Sequence, residues 1–401
     1  MRIDVAYGRE VLPVEVPDHD VVPVRRQPPA APLADPVGAV REALEHPLDF
    51  PALRQALIPD DHVAIILDDR LPNVGKLLMP VLEHLKEAHI APAAITILCP
   101  PRSVEQPWLD DLADEFEETR LEVHDPDNRR HLSYLASTRK GRRIYLNRTV
   151  VDADQVVVLS GRAYDPVLGY SGAETAIYPA LSDEATRREL FRHLTLDAPG
   201  SEPWPVRREA AEVAWQLGAP FLVQIIEGTG TDVVHVLAGP VENSDAGQRL
   251  LDARWRVEIA EPADVVLAGI SGDPERLSLD DLARAFASAA RVVKSNGRIV
   301  LVTAGQPELG PEAEILRQYE NVAGLLYALR QNKVPCSETL FLWASAAEQA
   351  NLYLLSGMPD EAAEDMFTIP LDSPGQVQRL LTGRGRCLVL PDAHKTMAVV
   401  K

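Results

Sequence analysis

Short apolar runs recur along the first 260 residues, each followed by a stretch with helical spacing. Residues 62–68, His-Val-Ala-Ile-Ile-Leu-Asp, precede an amphipathic stretch over 74–88. Residues 94–99 precede an acidic, helix-like stretch over 108–118, and 155–160 is a third apolar run. Near-continuous Val/Ile/Leu strands alternating with helices predict a parallel sheet covered on both faces. Residues 221–226 and 233–237 flank Glu-Gly-Thr-Gly-Thr-Asp, which predicts a hairpin, and 242–254 reads as a helix. A second βαβ pattern starts near 261. It has a strand at 265–268, a helix at 279–293 stopped by Ser295-Asn-Gly297, and a strand at 298–303. Residues 386–390 read as a late strand, 1–8 as a first strand, and 23–36 and 197–205 as loops. The expected fold class is α/β: two α/β domains, 1–260 and 261–401, with an interdomain cleft as the natural ligand site.

Length and composition narrow the function classes. The chain has 401 residues, enough for two domains at roughly 100–200 residues each. Its net charge is −20, with the acidic excess in both halves. Nucleic acid and anionic membrane surfaces are therefore excluded as partners, because both demand clustered Lys and Arg. No apolar run approaches the ~18–20 residues of a membrane span. Cys99, Cys336 and Cys387 are far apart and match no zinc or CxxC spacing, so a reducing cytoplasm is the expected location. Nothing in the composition sets an oligomeric state.

Few motifs carry chemistry by themselves. Gly228-Thr-Gly230 leads into a strand, whereas a dinucleotide fingerprint opens a helix. Gly169-Tyr-Ser-Gly-Ala173 resembles a GxSxG nucleophile elbow, but Ala173 replaces the last Gly and Ser171 lies ten residues beyond the preceding strand. A tight glycine turn is the plainer reading, and no His and Asp partners present themselves. The ten histidines form no close metal pair, so no metal is expected, and His193 is a weak candidate ligand. Charges at strand ends say more. Ligands of open α/β sheets bind outside the carboxyl ends of strands, where Asp68, Arg70, Arg102 and Asp165 fall.

Taken in order, these segments resemble the nickel-pincer lactate racemase family, two-domain α/β proteins that act on 2-hydroxy acids. Tyr7-Gly8 is similar to its early Tyr-Gly, and Asp68-Asp-Arg-Leu-Pro72 to its Asp-x-Thr-Arg-Pro. Leu98-Cys-Pro-Pro-Arg102 is similar to its Gly-Thr-His-Arg, and His124-Asp125 to its His-Asp pair. Residues 161–179 resemble its signature, Pro-His-x-x-Ala-Gly-Phe-Ser-Gly-Gly-x-Lys followed by Leu-Pro-Gly. In the second half, Gly272-Asp-Pro274 and residues 281–297 resemble its Gly-Gly-x-Pro and Tyr-Gln-x-x-Lys helix.

The resemblance implies a lysine tethering a nickel-bearing pyridinium nucleotide at the position held by Thr175. It implies two acid–base histidines where Pro101 and Asp165 stand. The carboxylate-binding arginine falls at Leu71, with Arg70 adjacent, and the family's Gln and Lys fall at Asp281 and Arg284. A nickel-ligating histidine is matched by His193 if the loop is about two residues longer. The expected site is thus Asp165 as the remaining base, with Asp68, Arg70, Arg102, Tyr170, Ser171, Glu174, Thr175, Asp281 and Arg284 around a small carboxylate. Thr175 argues against the family's cofactor. An Asp/Glu/Arg mixture of this kind suits a repurposed site, for a racemase or epimerase or a carboxylate binder. It equally suits a non-catalytic binding or regulatory relative whose cleft is closed by ion pairs.

Overall fold

The computed structural model describes every residue except 26, 29, 102–105, 201, 336 and 384, and the side chain of 107. Two compact units emerge. The N-unit comprises residues 29–190 and 199–251, and the C-unit comprises 1–28, 191–198 and 252–401.

The N-unit is built on a six-stranded sheet. Its order is Val233–Pro240, Phe221–Glu227, Gln155–Gly161, Val63–Leu67, Ile95–Cys99, Arg120–Val123. All neighbours are parallel except the first pair, the expected antiparallel hairpin. Val63–Leu67 is buried at every position, as a central strand covered on both faces must be. Ile65, Leu67, Ile97, Cys99, Val157 and Leu159 share one core with the helices Pro36–Glu45 and Val74–Glu87. Two small antiparallel pairs, Leu132–Ser137 with Arg143–Asn147 and Ala163–Asp165 with Gly169–Ser171, stand off this sheet.

The C-unit holds a second sheet, in which Ala263–Ser271, Val293–Val302, Ala350–Leu355 and Thr368–Pro370 run parallel and Cys387–Leu390 joins Ala263–Ser271. Alternate residues face opposite cores, as the two-residue period of a strand requires. Val266, Ala268 and Ile270 join one core, and Val265 and Leu267 the other. No helix among the described residues is long and apolar enough to cross a membrane.

The structure departs from the expected elements in four places. The boundary is not a single cut at 260/261. Arg2–Gly8 pairs in parallel with Ala263–Ser271 and antiparallel with Glu10–Glu15, so the chain start folds into the C-unit. The stretch 108–118 forms two short 3-10 turns, Pro107–Asp111 and Asp114–Phe116. Its like charges at helical spacing disfavour a continuous helix. The helix expected over 279–293 ends at Ala290. Ser295-Asn-Gly297 is not its stop but an irregularity inside Val293–Val302, with Asn296 at φ 58° and a register jump against Ala263–Ser271.

Candidate active site

In the N-unit sheet, strand order reverses between Val63–Leu67 and Gln155–Gly161. Helical connections leave a crevice outside the carboxyl ends of strands at such a switch point. Asp68 follows the first strand there. Its Oδ2 accepts the Gly161 N–H at 3.3 Å, and its Oδ1 accepts the Arg70 N–H at 3.3 Å. The Arg70 Nε lies 3.5 Å from Asp68 Oδ1, and the Arg70 side chain is 70% exposed. Glu227 ends the next strand along. A Cβ on Gly161 would lie 3.5 Å from Asp68 Oδ2 and 3.6 Å from Glu227 Oε1. Leu71 Cδ2 would be nearer still, at 3.2 Å, so the glycine lets the backbone pass close to two carboxylates and an apolar side chain, with the exposed Arg70 guanidinium paired to Asp68. Arg102, expected at the neighbouring strand end, lies outside the described residues, and Leu71 is buried in the core.

The signature stretch follows Gly161, and its polar side chains have internal partners. Asp165 Oδ1 accepts the N–H groups of both Val167 and Leu168 at 2.7 Å, which closes the turn of the Ala163–Asp165/Gly169–Ser171 hairpin. Gly172 sits at φ 79°, and a Cβ there would come within 2.1 Å of the Gly161 carbonyl oxygen, so only glycine fits. The Ala173 N–H donates to Ser160 Oγ at 2.8 Å. The Gly172 carbonyl accepts the Thr175 hydroxyl at 2.9 Å and Arg162 Nη1 at 2.8 Å. Ser171 is the half-buried last residue of its strand rather than the apex of an elbow.

Behind this turn lies a buried charge cluster. Arg207 Nη2 donates to Glu174 Oε1 at 2.9 Å, the Ser244 hydroxyl donates to Oε2, and Arg162 Nη1 is 3.9 Å from Oε2. Arg207 also stacks over the buried Tyr170 ring, 5.0 Å from its centroid. Burial alone would push the Glu174 carboxyl up, but Arg162, Arg207 and Ser244 outweigh it and hold it below its ordinary value. Burial brings Arg162 down to about 10 despite Glu174. Its Nε and Nη2 meet no hydrogen-bond acceptor among the described residues.

The remaining expected site residues have other roles. Asp281 completes a capping box, accepting the Ser278 N–H at 2.9 Å and its hydroxyl at 2.7 Å. Arg284 pairs with Asp280 at 2.6 Å and Glu338 at 3.3 Å. Both therefore help hold their helix in the C-unit rather than standing as open ligand contacts. His193 is exposed on the 3-10 turn Phe191–His193 of the C-unit. His124 is buried, with Nε2 donating to the Ser182 carbonyl at 3.0 Å and Nδ1 facing Asn147 Nδ2 at 3.4 Å. Burial lowers its pKa. Glu45, His84 and Glu87 cluster as metal ligands would, but the Arg54 guanidinium already bridges Glu45 at 2.9 Å and Glu87 at 3.7 Å. Burial raises the Cys99 thiol to about 12, which makes it a core residue rather than a nucleophile.

Sequence reasoning missed Glu227, Arg162, Arg207 and Ser244. The strand-end rule that selected Asp68 applies equally to Glu227. Arg162 opens the signature, but Arg207 and Ser244 reach Glu174 only through the fold.

The nickel-bearing nucleotide implied by the family resemblance does not fit these residues. The hydroxyl at the tether position has no amine to offer and donates to Gly172. Of the two acid–base positions, Pro101 has no titratable group, and Asp165 Oδ1 already holds two backbone N–H groups.

Comparison with known proteins bears on the family. Residues 7–201 match the lactate racemase N-terminal domain. A lactate racemase from Thermoanaerobacterium thermosaccharolyticum is 20% identical over 313 residues, covering 75% of this chain and 74% of the relative. The structure of the lactate racemase apoprotein from that organism superposes with a TM-score of 0.79 at 18% identity, covering 99% of this chain and all of the other. A protein from Thermotoga maritima superposes with a TM-score of 0.68 at 12% identity, covering 91% and 98%.

Proposed function

From the premise that this chain is lactate racemase-like in sequence and fold, we propose that it binds a small 2-hydroxy acid at the N-unit switch point, without racemising it through a tethered cofactor. The observation that carries this reading is the arrangement at Gly161. Asp68 Oδ2 and Glu227 Oε1 come within 3.5 and 3.6 Å of the Cβ position of that glycine, beside Leu71, and the exposed Arg70 guanidinium lies 3.5 Å from Asp68 Oδ1. A carboxylate alone would be repelled by the two acids. A hydroxy acid suits the set better, since its hydroxyl donates to Asp68 or Glu227 while its carboxylate pairs with Arg70. The reassignment of Asp165, Glu174 and Thr175 to internal hydrogen bonds supports binding over proton exchange, because racemisation needs a free acid or base on each face of the stereocentre.

Calorimetry with lactate, glycolate and glycerate, against propionate as the hydroxyl-free control, tests this reading. The hydroxy acids should bind and propionate should not. Arg70→Ala should weaken binding by about 1.5–3 kcal/mol, the worth of a hydrogen bond to a charged group. Equal binding of propionate, or none by any hydroxy acid, sinks the reading. Intact mass after co-expression with the cofactor-making enzymes should match the unmodified chain, and an adduct carrying stoichiometric nickel would refute that part.

The Glu174 cluster favours a second reading, a structural or regulatory relative. Its ion pairs are buried within one unit and brace the signature stretch. That reading gains if no small acid shifts the melting temperature.

A further inference from the structure

Away from the switch point, the hairpin turn between Leu132–Ser137 and Arg143–Asn147 meets the helix Pro205–Gln216, and the two enclose an open cavity of about 730 Å³. The sequence there is anomalous. Arg139-Lys140-Gly141-Arg142-Arg143 is a basic run in a chain of net charge −20. The turn is preformed. The Thr138 N–H donates to the Arg142 carbonyl and the Gly141 N–H to the Thr138 carbonyl, both at 2.8 Å, with Gly141 at φ 80°. Glu212 docks the turn on the helix by accepting the Arg139 N–H at 2.7 Å.

Charge in the cavity is unbalanced towards positive. Arg139, Lys140 and Arg208 all line it, and none has an ion pair among the described residues. Of the two acids in the wall, Glu209 is taken by the Tyr178 hydroxyl and by Arg142 Nε at 2.9 Å, and Glu212 holds the turn. The helix start adds to this, because its first turn has no side-chain cap and its N–H groups carry the positive end of the dipole. Arg208, Glu212 and Trp215 recur at helical spacing on the cavity face, and Trp215 is 70% exposed. An indole this bare is costly to leave in water, and it offers a flat surface beside three cations.

We propose that this cavity is a second ligand site, separate from the switch point, for a flat aromatic ring bearing a phosphate. The ring stacks on Trp215, and the phosphate is held by Arg139, Lys140 and Arg208. Three cations lining one cavity favour a dianion over a single carboxylate.

Phenyl phosphate is the probe, followed by quenching of tryptophan fluorescence and by calorimetry. Inorganic phosphate, benzoate and benzyl alcohol separate the contributions of charge and ring. Phenyl phosphate should bind one per chain, at least tenfold tighter than any of the three. Trp215→Ala should reduce it to the level of inorganic phosphate, and Trp215→Phe, which keeps a ring, should retain most of the affinity. The double variant Arg139→Ala/Arg208→Ala should lose at least tenfold with an unchanged melting temperature. The proposal is overturned if phenyl phosphate binds no better than inorganic phosphate, if Trp215→Ala leaves its affinity intact, or if Arg70→Ala removes its binding.

Discussion

At the residue scale, the site divides into charges that are buried and charges that are exposed. Glu174 is locked: it is buried and held by two guanidinium groups and a hydroxyl. Removing its charge orphans two buried cations, so Glu174→Gln should destabilise the fold by about 3–5 kcal/mol in urea unfolding. Arg70 is exposed and pairs with Asp68, and an exposed ion pair is worth little, so Arg70→Ala should leave stability within about 1 kcal/mol. Finding the reverse order would exchange the roles assigned to these two residues. His84 and His124 set an acid limit. Burial lowers both below the ordinary histidine value, so between their folded values and about 6.5 the unfolded chain holds more protons. Their stabilising effect is fully present above about pH 6.5 and is lost as pH falls through that value towards the folded ones. The melting temperature should be flat from pH 7 to 8 and decline below about 6.5, and the decline should shrink in His124→Gln.

At the scale of elements, conformation decides which residue types the signature tolerates. Gly172→Ala would force a Cβ against the Gly161 carbonyl in left-handed backbone. A loss of about 3 kcal/mol or more is expected in urea unfolding. Asp281→Ala should cost about 1 kcal/mol through the lost cap of Leu279–Ala290, with no change in affinity for any hydroxy acid. The apolar strands were the legible part of the sequence, because burial on both faces writes itself as an unbroken Val/Ile/Leu run. Asp68 was legible for the same reason, since it punctuates such a run. The turn at Asp165 was not, because an acid that accepts two backbone N–H groups looks in sequence like an acid awaiting a substrate. Nor was the cluster around Glu174, whose partners at 162, 207 and 244 share no periodicity.

At the scale of the whole molecule, connectivity is where sequence order misleads. A βαβ pattern on each side of residue 261 suggests two consecutive domains, yet the chain passes between the two units four times. The cause is local. Arg2–Gly8 finds its parallel neighbour in Ala263–Ser271, a pairing no short-range pattern announces.

That pairing has a consequence for how the protein is made. Val5, Leu12 and Val14 are synthesised well before the strands beyond residue 252 that build the core they enter. At about 5–20 residues per second, the wait is on the order of ten seconds or longer. A lone hairpin is marginal in water, so through that interval Arg2–Gly8 and Glu10–Glu15 have an apolar face that their own sheet does not yet cover. Residues 29–251 have no such delay and can close in the meantime. Protease protection on stalled nascent chains should therefore reach residues 29–251 before residues 2–15, and the strand Arg2–Gly8 should be a chaperone-binding site that vanishes once the strands beyond residue 252 are made.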